Sequence, residues 1–132
     1  MNLTVGDTFY GTHADLLNTL GLKTKNGETF KQYYKGTYEL DSDTYIWIIS
    51  IDGKEHSGWR NYWQGEDTVV ECNLENYDHP IGLTHSFRVV FDKQRLGSGN
   101  KFVFMGYFKL QPESTNRKRV LRKLDGAYSF RG

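Results

Sequence analysis

Lys101-Phe102-Val103-Phe104-Met105-Gly106-Tyr107-Phe108-Lys109-Leu110 is the stretch on which the fold turns. Phe102, Phe104, Phe108 and Leu110 alternate with Val103, Met105 and Tyr107, so a strand built from it is apolar on both faces. Such a strand belongs at the centre of a sheet or in a closed barrel, and closure also removes the exposed edges that invite pairing with other chains. Further runs of β-branched and aromatic residues lie at Tyr33 to Leu40, Tyr45 to Ile51, Thr68 to Cys72 and Ser86 to Phe91, each bounded by Gly, Asp or Asn. The expected fold is mainly β (α+β), a single twisted or closed β-barrel or pseudobarrel with one short N-terminal helix.

That helix is signalled by Thr12-His13-Ala14-Asp15 followed by Leu16, Leu17, Leu20 and Gly21. Thr12 serves as N-cap, Asp15 sits at the positive end of the dipole, and Gly21 supplies a left-handed stop. Asn26-Gly27 places a turn within Lys23 to Phe30. Leu96-Gly97-Ser98-Gly99-Asn100, flanked by Lys93, Arg95 and Lys101, suits a mobile, basic hairpin tip. Arg117 to Leu124 fits either a helix face or a closing strand, and a strand is expected. Gln111 to Asn116 is the only linker-like stretch, so residues 1–132 are read as one domain.

A content of 15% aromatic residues with two prolines describes a packed globular chain, since disordered chains lack such aromatic content. The lone Cys72 cannot form an internal disulfide, and Met1 to Asp7 has neither the basic nor the apolar region of a signal peptide, which points to the cytoplasm. The longest apolar run, Tyr45 to Ile51, falls far short of a bilayer span, so no membrane partner is expected. Net charge is only +1, yet it is distributed unevenly. From Lys93 onward, Lys93, Arg95, Lys101, Lys109, Arg117, Lys118, Arg119, Arg122, Lys123 and Arg131 stand against Glu113 and Asp125 alone, an asymmetry that points to a polyanionic partner.

His13, His56, His79 and His85 are scattered without ligand spacing, so neither a metal nor a cofactor is expected. Cys72 lies in an alternating strand pattern and reads as a small buried hydrophobe. No nucleophile elbow, phosphate-cradling loop or dinucleotide fingerprint occurs, and no catalytic residue is assigned. One enzymatic pattern is present: Asp41 or Asp43, an apolar strand, then Asp52-Gly53-Lys54, the order in which restriction-type nucleases present two metal-binding carboxylates and a lysine. Asp-Gly after an apolar strand is equally a hairpin-turn signal.

Lys54 to Gln64 packs two Trp, a Tyr, an Arg and a His among amides, a stretch too polar and irregular for a core strand. Aromatic rings stack on bases, and Arg or Asn reads base edges or holds phosphates. The base side of a DNA interface is therefore assigned to His56, Trp59, Arg60, Tyr62 and Trp63, and the phosphate side to Lys93, Arg95, Lys101, Arg117, Lys118 and Arg119. Alternatively Trp59 and Trp63, four residues apart, plug the end of a barrel. The loop from Asn73 to His85 contains Tyr77-Asp78-His79-Pro80, which a tight turn explains.

The order of these features resembles the PUA-like and related pseudobarrel DNA-recognition domains that accompany bacterial restriction enzymes and restriction-associated helicases. The likeness runs from about residue 12 to about residue 124. It rests on Leu17-Asn18-Thr19-Leu20-Gly21, on Ile46 to Ile51 passing into a His-Ser and aromatic loop, on Phe87 to Asp92, and on Phe102-Val103-Phe104-Met105-Gly106-Tyr107-Phe108. Where some members carry Trp-Gln-Ser-Gln, this chain has Leu74-Glu75-Asn76-Tyr77. The resemblance implies recognition of DNA, in some cases of a modified or flipped base, with catalysis supplied by a fused or separate nuclease or helicase component. Two other functions remain open: a small-ligand β-barrel of the lipid-binding type, and a metal-dependent nuclease built on Asp52 and Lys54.

Overall fold

A computed structural model describes residues 1–75 and 81–130, so Tyr77-Asp78-His79-Pro80 lies outside the described residues. In chain order the elements are β1 (Asn2–Thr4), β2 (Thr8–Gly11), α1 (His13–Thr19), β3 (Thr37–Glu39), β4 (Thr44–Ile49), β5 (Glu55–His56), β6 (Trp59–Trp63), β7 (Thr68–Asn73), α2 (Ile81–Thr84), β8 (Phe87–Leu96), β9 (Gly99–Leu110), β10 (Lys118–Asp125) and β11 (Ala127–Ser129). Among the described residues one sheet runs β3-β4-β8-β9-β10-β7-β6-β5, β2 adds to β9, and β1 pairs separately with β11. The first and last strands of that order do not pair, which leaves the curled sheet a half-barrel, as a pseudobarrel requires.

The curl follows from the connection between β4 and β8, which are parallel neighbours. The chain between them forms β5, β6 and β7, and β7 returns to the sheet on the far side of β10. The strands β6 and β7 thereby face β4 and β8 across the concave side. Tyr45, Trp47, Ile51, Val69, Val90, Phe108 and Leu121 fill that side, with Trp63 packed against them. On the convex side Leu16, Leu17 and Leu20 of α1 pack on Ile46, Ile48, Val89, Phe91, Phe102 and Phe104.

Strand β9 is central, flanked by β8, β10 and β2, and both its faces are apolar, but not through unbroken alternation. The register against β8 jumps from Val90 opposite Gly106 to Phe91 opposite Phe104, so β9 carries a bulge. Phe102 and Phe104 consequently serve the convex core while Phe108 serves the concave one. Gly106 has φ +131°, and a Cβ there would lie 2.9 Å from the Asp125 carbonyl oxygen, so only glycine fits without strain. Strand β10 shifts register at the same level, between Lys123 and Asp125.

The helix forms as its sequence predicts. Thr12 Oγ1 accepts from the Asp15 backbone N–H while Asp15 Oδ2 accepts from the Thr12 N–H, a reciprocal capping box. Gly21 at φ +81° ends it. Two expectations need correction. Only Thr37–Glu39 of the run Tyr33 to Leu40 is a strand. Ahead of it Phe30, Tyr33 and Tyr38 form a mutually edge-to-face ring cluster that folds the segment on itself. The stretch Lys54 to Gln64, expected to be irregular, contains the strand β6 because it pairs over its length with β7. The N-terminal β1 and β2 and the one-turn α2 add elements that no sequence pattern announces.

Candidate nucleic-acid interface

Pairing in register decides which way each side chain of the indole-bearing strand points. Asn61 stands opposite Glu71, which stands opposite Arg119, and Trp63, Val69 and Leu121 form the next row. Since Trp63, Val69 and Leu121 all belong to the concave core, Trp59, Asn61 and Glu71 share that face by the two-residue period. Arg60, Cys72 and Lys118 form a row on the opposite face, where Arg60 and Lys118 are exposed and Cys72 is half-buried.

At the heart of the concave side, Glu71 Oε1 accepts from Arg88 Nη1 and from Arg119 Nη1, each at 3.0 Å. The pair Arg88 and Glu71 joins β8 to β7, strands that two others separate in the sheet, so it braces the half-barrel across its opening. The Arg88 guanidinium lies 4.5 Å from the Trp47 ring centre and 5.0 Å from that of Tyr45. Burial, opposed by the pull of Arg88, pushes the Tyr45 phenol up to about 12, so it remains a hydroxyl at every physiological pH. The Arg119 guanidinium covers Trp59 at 4.9 Å, and Lys123 Nζ lies 5.8 Å from the Trp63 ring centre.

Asn61 is fully buried beside this cluster, and neither its Oδ1 nor its Nδ2 has a hydrogen-bond partner among the described residues. A buried carboxamide left in that state carries a desolvation cost of about 1–3 kcal/mol. Two polar atoms without partners in an aromatic and cationic setting have the chemistry to meet the edge of a heterocyclic base once uncovered.

The cationic residues expected to meet phosphates divide into two groups, and one departs from expectation. Arg119 is only 1% exposed and is occupied by Glu71, Asn116 and the Trp59 ring, so it supports the site from within instead of reaching solvent. Arg117 and Lys118 are exposed near Arg60. Lys93, Arg95 and Lys101 stand on the hairpin of β8 and β9, whose register from Leu96 to Gly99 leaves a two-residue tip at Gly97 and Ser98. His56, expected on the base side, joins this second group: it lines a cleft with Lys93, Arg95 and His13. Trp59, Tyr62 and Trp63 are half-buried, so the indoles are neither free plates nor sealed plugs.

Asp52, the pivot of the nuclease alternative, works within its own turn. Its carboxylate accepts from the Lys54 N–H at 2.9 Å and pairs with His56 Nε2 at 2.9 Å. Burial is the largest single influence and raises its pKa, but the Lys54 N–H, His56 and its own backbone N–H together outweigh it and hold the carboxyl below its ordinary range. Among the described residues no three His, Cys, Asp or Glu side chains converge as a metal seat would need. The lipid alternative calls for one enclosed apolar cavity, whereas the concave side holds a buried ion cluster of Glu71 with Arg88 and Arg119. Among the described residues no helix is long and apolar enough to cross a membrane.

Several residues that build the site carry no mark as functional in the sequence, notably Asn61, Glu71, Arg88 and His13. The available signal for two of them is a charge inside an apolar run: Glu71 in Val69-Val70-Glu71-Cys72 and Arg88 in Phe87-Arg88-Val89-Val90-Phe91.

No family model matches the chain, and no curated protein matches it. Among solved structures, it is similar to one described as the 5-hydroxymethylcytosine-specific restriction enzyme AbaSI, with a TM-score of 0.68 at 20% identity. The match covers 97% of this chain and 42% of that one, so the chain spans under half of the enzyme's length. The likeness is one of fold alone.

Proposed function

We propose that this chain is a DNA-recognition module whose concave face receives a base turned out of the duplex, with strand cleavage or other chemistry left to a further domain or chain. The observation that carries the reading is the buried Asn61 carboxamide, without hydrogen-bond partners among the described residues, on the strand face between Trp59 and Trp63 and opposite Glu71, which holds Arg88 and Arg119. Stacking on an aromatic ring contributes about 1–3 kcal/mol for a base, and a bidentate amide contact contributes a similar discrimination. Arg117 would hold a phosphate beside that opening, Arg60 and Lys118 would meet the backbone only where it passes the outer face of the same strands, and Lys93, Arg95 and Lys101 would hold phosphates at the other end of the sheet. The fold shared with a restriction enzyme named for 5-hydroxymethylcytosine supports DNA as the partner and makes a modified cytosine the first base to test.

The test is fluorescence anisotropy with matched duplexes that differ at one position, carrying cytosine, 5-methylcytosine or 5-hydroxymethylcytosine. Binding to one modified duplex at least about tenfold tighter than to the plain one is expected, as one base contact provides. The logarithm of affinity should fall with the logarithm of salt by about 0.9 per phosphate neutralised. Absence of binding to every duplex and single strand at about 50 mM salt would refute the assignment.

A further inference from the structure

A second concentration of basic groups lies away from the indoles. A cleft of about 120 Å³ opens between the end of β4, the strand β8, the start of α1 and the strand β5, and His13, Ser50, His56, Lys93 and Arg95 line it. Four separated segments thus bring two imidazoles, an ammonium and a guanidinium together. One of these four groups, His56, is paired through Nε2 with Asp52, which also holds the Lys54 N–H, while Asp92 accepts from the Ile51 N–H and from Gln94, so Lys93 and Arg95 carry the cleft's free positive charge. Ser50 Oγ is occupied by the Lys93 carbonyl oxygen.

The tautomer of His13 follows from its contact. His13 Nδ1 lies 2.9 Å from the Lys35 carbonyl oxygen, which can only accept, so Nδ1 carries the proton and the neutral ring leaves Nε2 a bare lone pair. That nitrogen is buried with no hydrogen-bond partner among the described residues, and the ring sits edge-on to Phe102 at 5.6 Å. Burial, partly offset by the Lys35 carbonyl and reinforced by Lys93, holds the His13 pKa below its ordinary value. Burial and the neighbouring Arg95 likewise depress Lys93. An arriving anion favours the charged forms that burial first, and the neighbouring cations second, disfavour here.

We propose that this cleft seats a phosphodiester of bound DNA, held by Lys93, Arg95 and His56, and that His13 behind them takes up a proton from solvent as the phosphate arrives. The inference rests on the DNA-binding reading above. His13 is a positioning residue: the charges facing it are Lys93 and Arg95 from β8 and His56 from β5, with the Lys35 carbonyl from the loop before β3 and Asp15 on its own helix. The proton comes from buffer and goes to Nε2. No bond to the phosphate forms or breaks.

Linkage fixes the sign: binding that takes up one proton strengthens by up to about tenfold for each pH unit of acidification, between the higher pKa of the complex and the lower pKa of the free protein. Duplex binding is measured calorimetrically in buffers of differing ionisation heat from about pH 8 to about pH 5.5, a range that brackets the ordinary imidazole value. Uptake approaching one proton by the intact protein, lost in His13→Gln while that variant still binds at the alkaline end, is the expected result. Duplex binding without uptake, or uptake that survives His13→Gln, overturns the cleft while leaving DNA recognition standing. If no duplex binds at all, the DNA reading falls, and imidazole NMR of the unaltered protein with inorganic phosphate decides the cleft by itself. His13 must then titrate at higher pH in phosphate than in chloride, and an unchanged His13 titration overturns the anion seat as well.

Discussion

Replacing Glu71 with alanine is expected to destabilise the protein by about 3–5 kcal/mol, the cost of removing one partner from a buried ion pair. Arg88 and Arg119 both donate to Glu71 Oε1 at 3.0 Å and are 0% and 1% exposed, so water cannot replace the lost carboxylate without opening the half-barrel. Their stacking on Trp47, Tyr45 and Trp59 would persist, but a ring face offsets only part of a buried cation's desolvation. Against a total stability of about 5–15 kcal/mol for a typical domain, such a loss brings the chain close to unfolding. Urea denaturation reads it as a lowered midpoint. A triple replacement of Glu71, Arg88 and Arg119 by apolar residues of similar size should restore folding, since a buried ion cluster replaced as a unit is often neutral in stability. A shift below about 1 kcal/mol in Glu71→Ala, the scale of an exposed ion pair, would show that the triad braces nothing.

Asn61→Leu is expected to act in the opposite direction on stability and strongly on binding. The leucine has nearly the same volume and removes a buried carboxamide that has no partner among the described residues, so the midpoint should hold or rise, by about 1–2 kcal/mol at most. The same change removes the polar atoms assigned to the base edge, so affinity for the preferred duplex should fall by about tenfold or more while affinity for non-specific DNA stays unchanged. Stability surrendered to keep a polar group in place is the signature of a binding site. A fall in stability with unaltered duplex preference would make Asn61 a structural residue.

The local devices of this fold are legible in its sequence because each involves neighbours along the chain. The cap at Thr12 and Asp15, the stop at Gly21 and the strands β4, β7, β8 and β9 depend on nearby composition and period. The readings that fail depend on distant partners. Trp59–Trp63 looks irregular because its alternation is inverted: polar Asn61 points inward and aromatic Tyr62 outward, and only the register with β7 accounts for that. Arg119 stands in a row of cations and reads as one more phosphate ligand, whereas Glu71, 48 residues away, draws it inside. The bulge in β9 had a mark in the lone Gly106 within an apolar strand, a common sign of one. Strand β1 is three residues long and exists only through β11 at the other end of the chain.

The base-receiving concave face is tested most directly by placing 2-aminopurine next to the preferred cytosine in a duplex and following its fluorescence, which stacking quenches, as the protein is added. Withdrawal of the neighbouring base into the face lined by Trp59, Asn61 and Trp63 predicts a rise in emission that saturates with binding and is reduced in Asn61→Leu. Saturated binding with emission unchanged would mean that the duplex stays stacked and that the concave face is not where DNA is read.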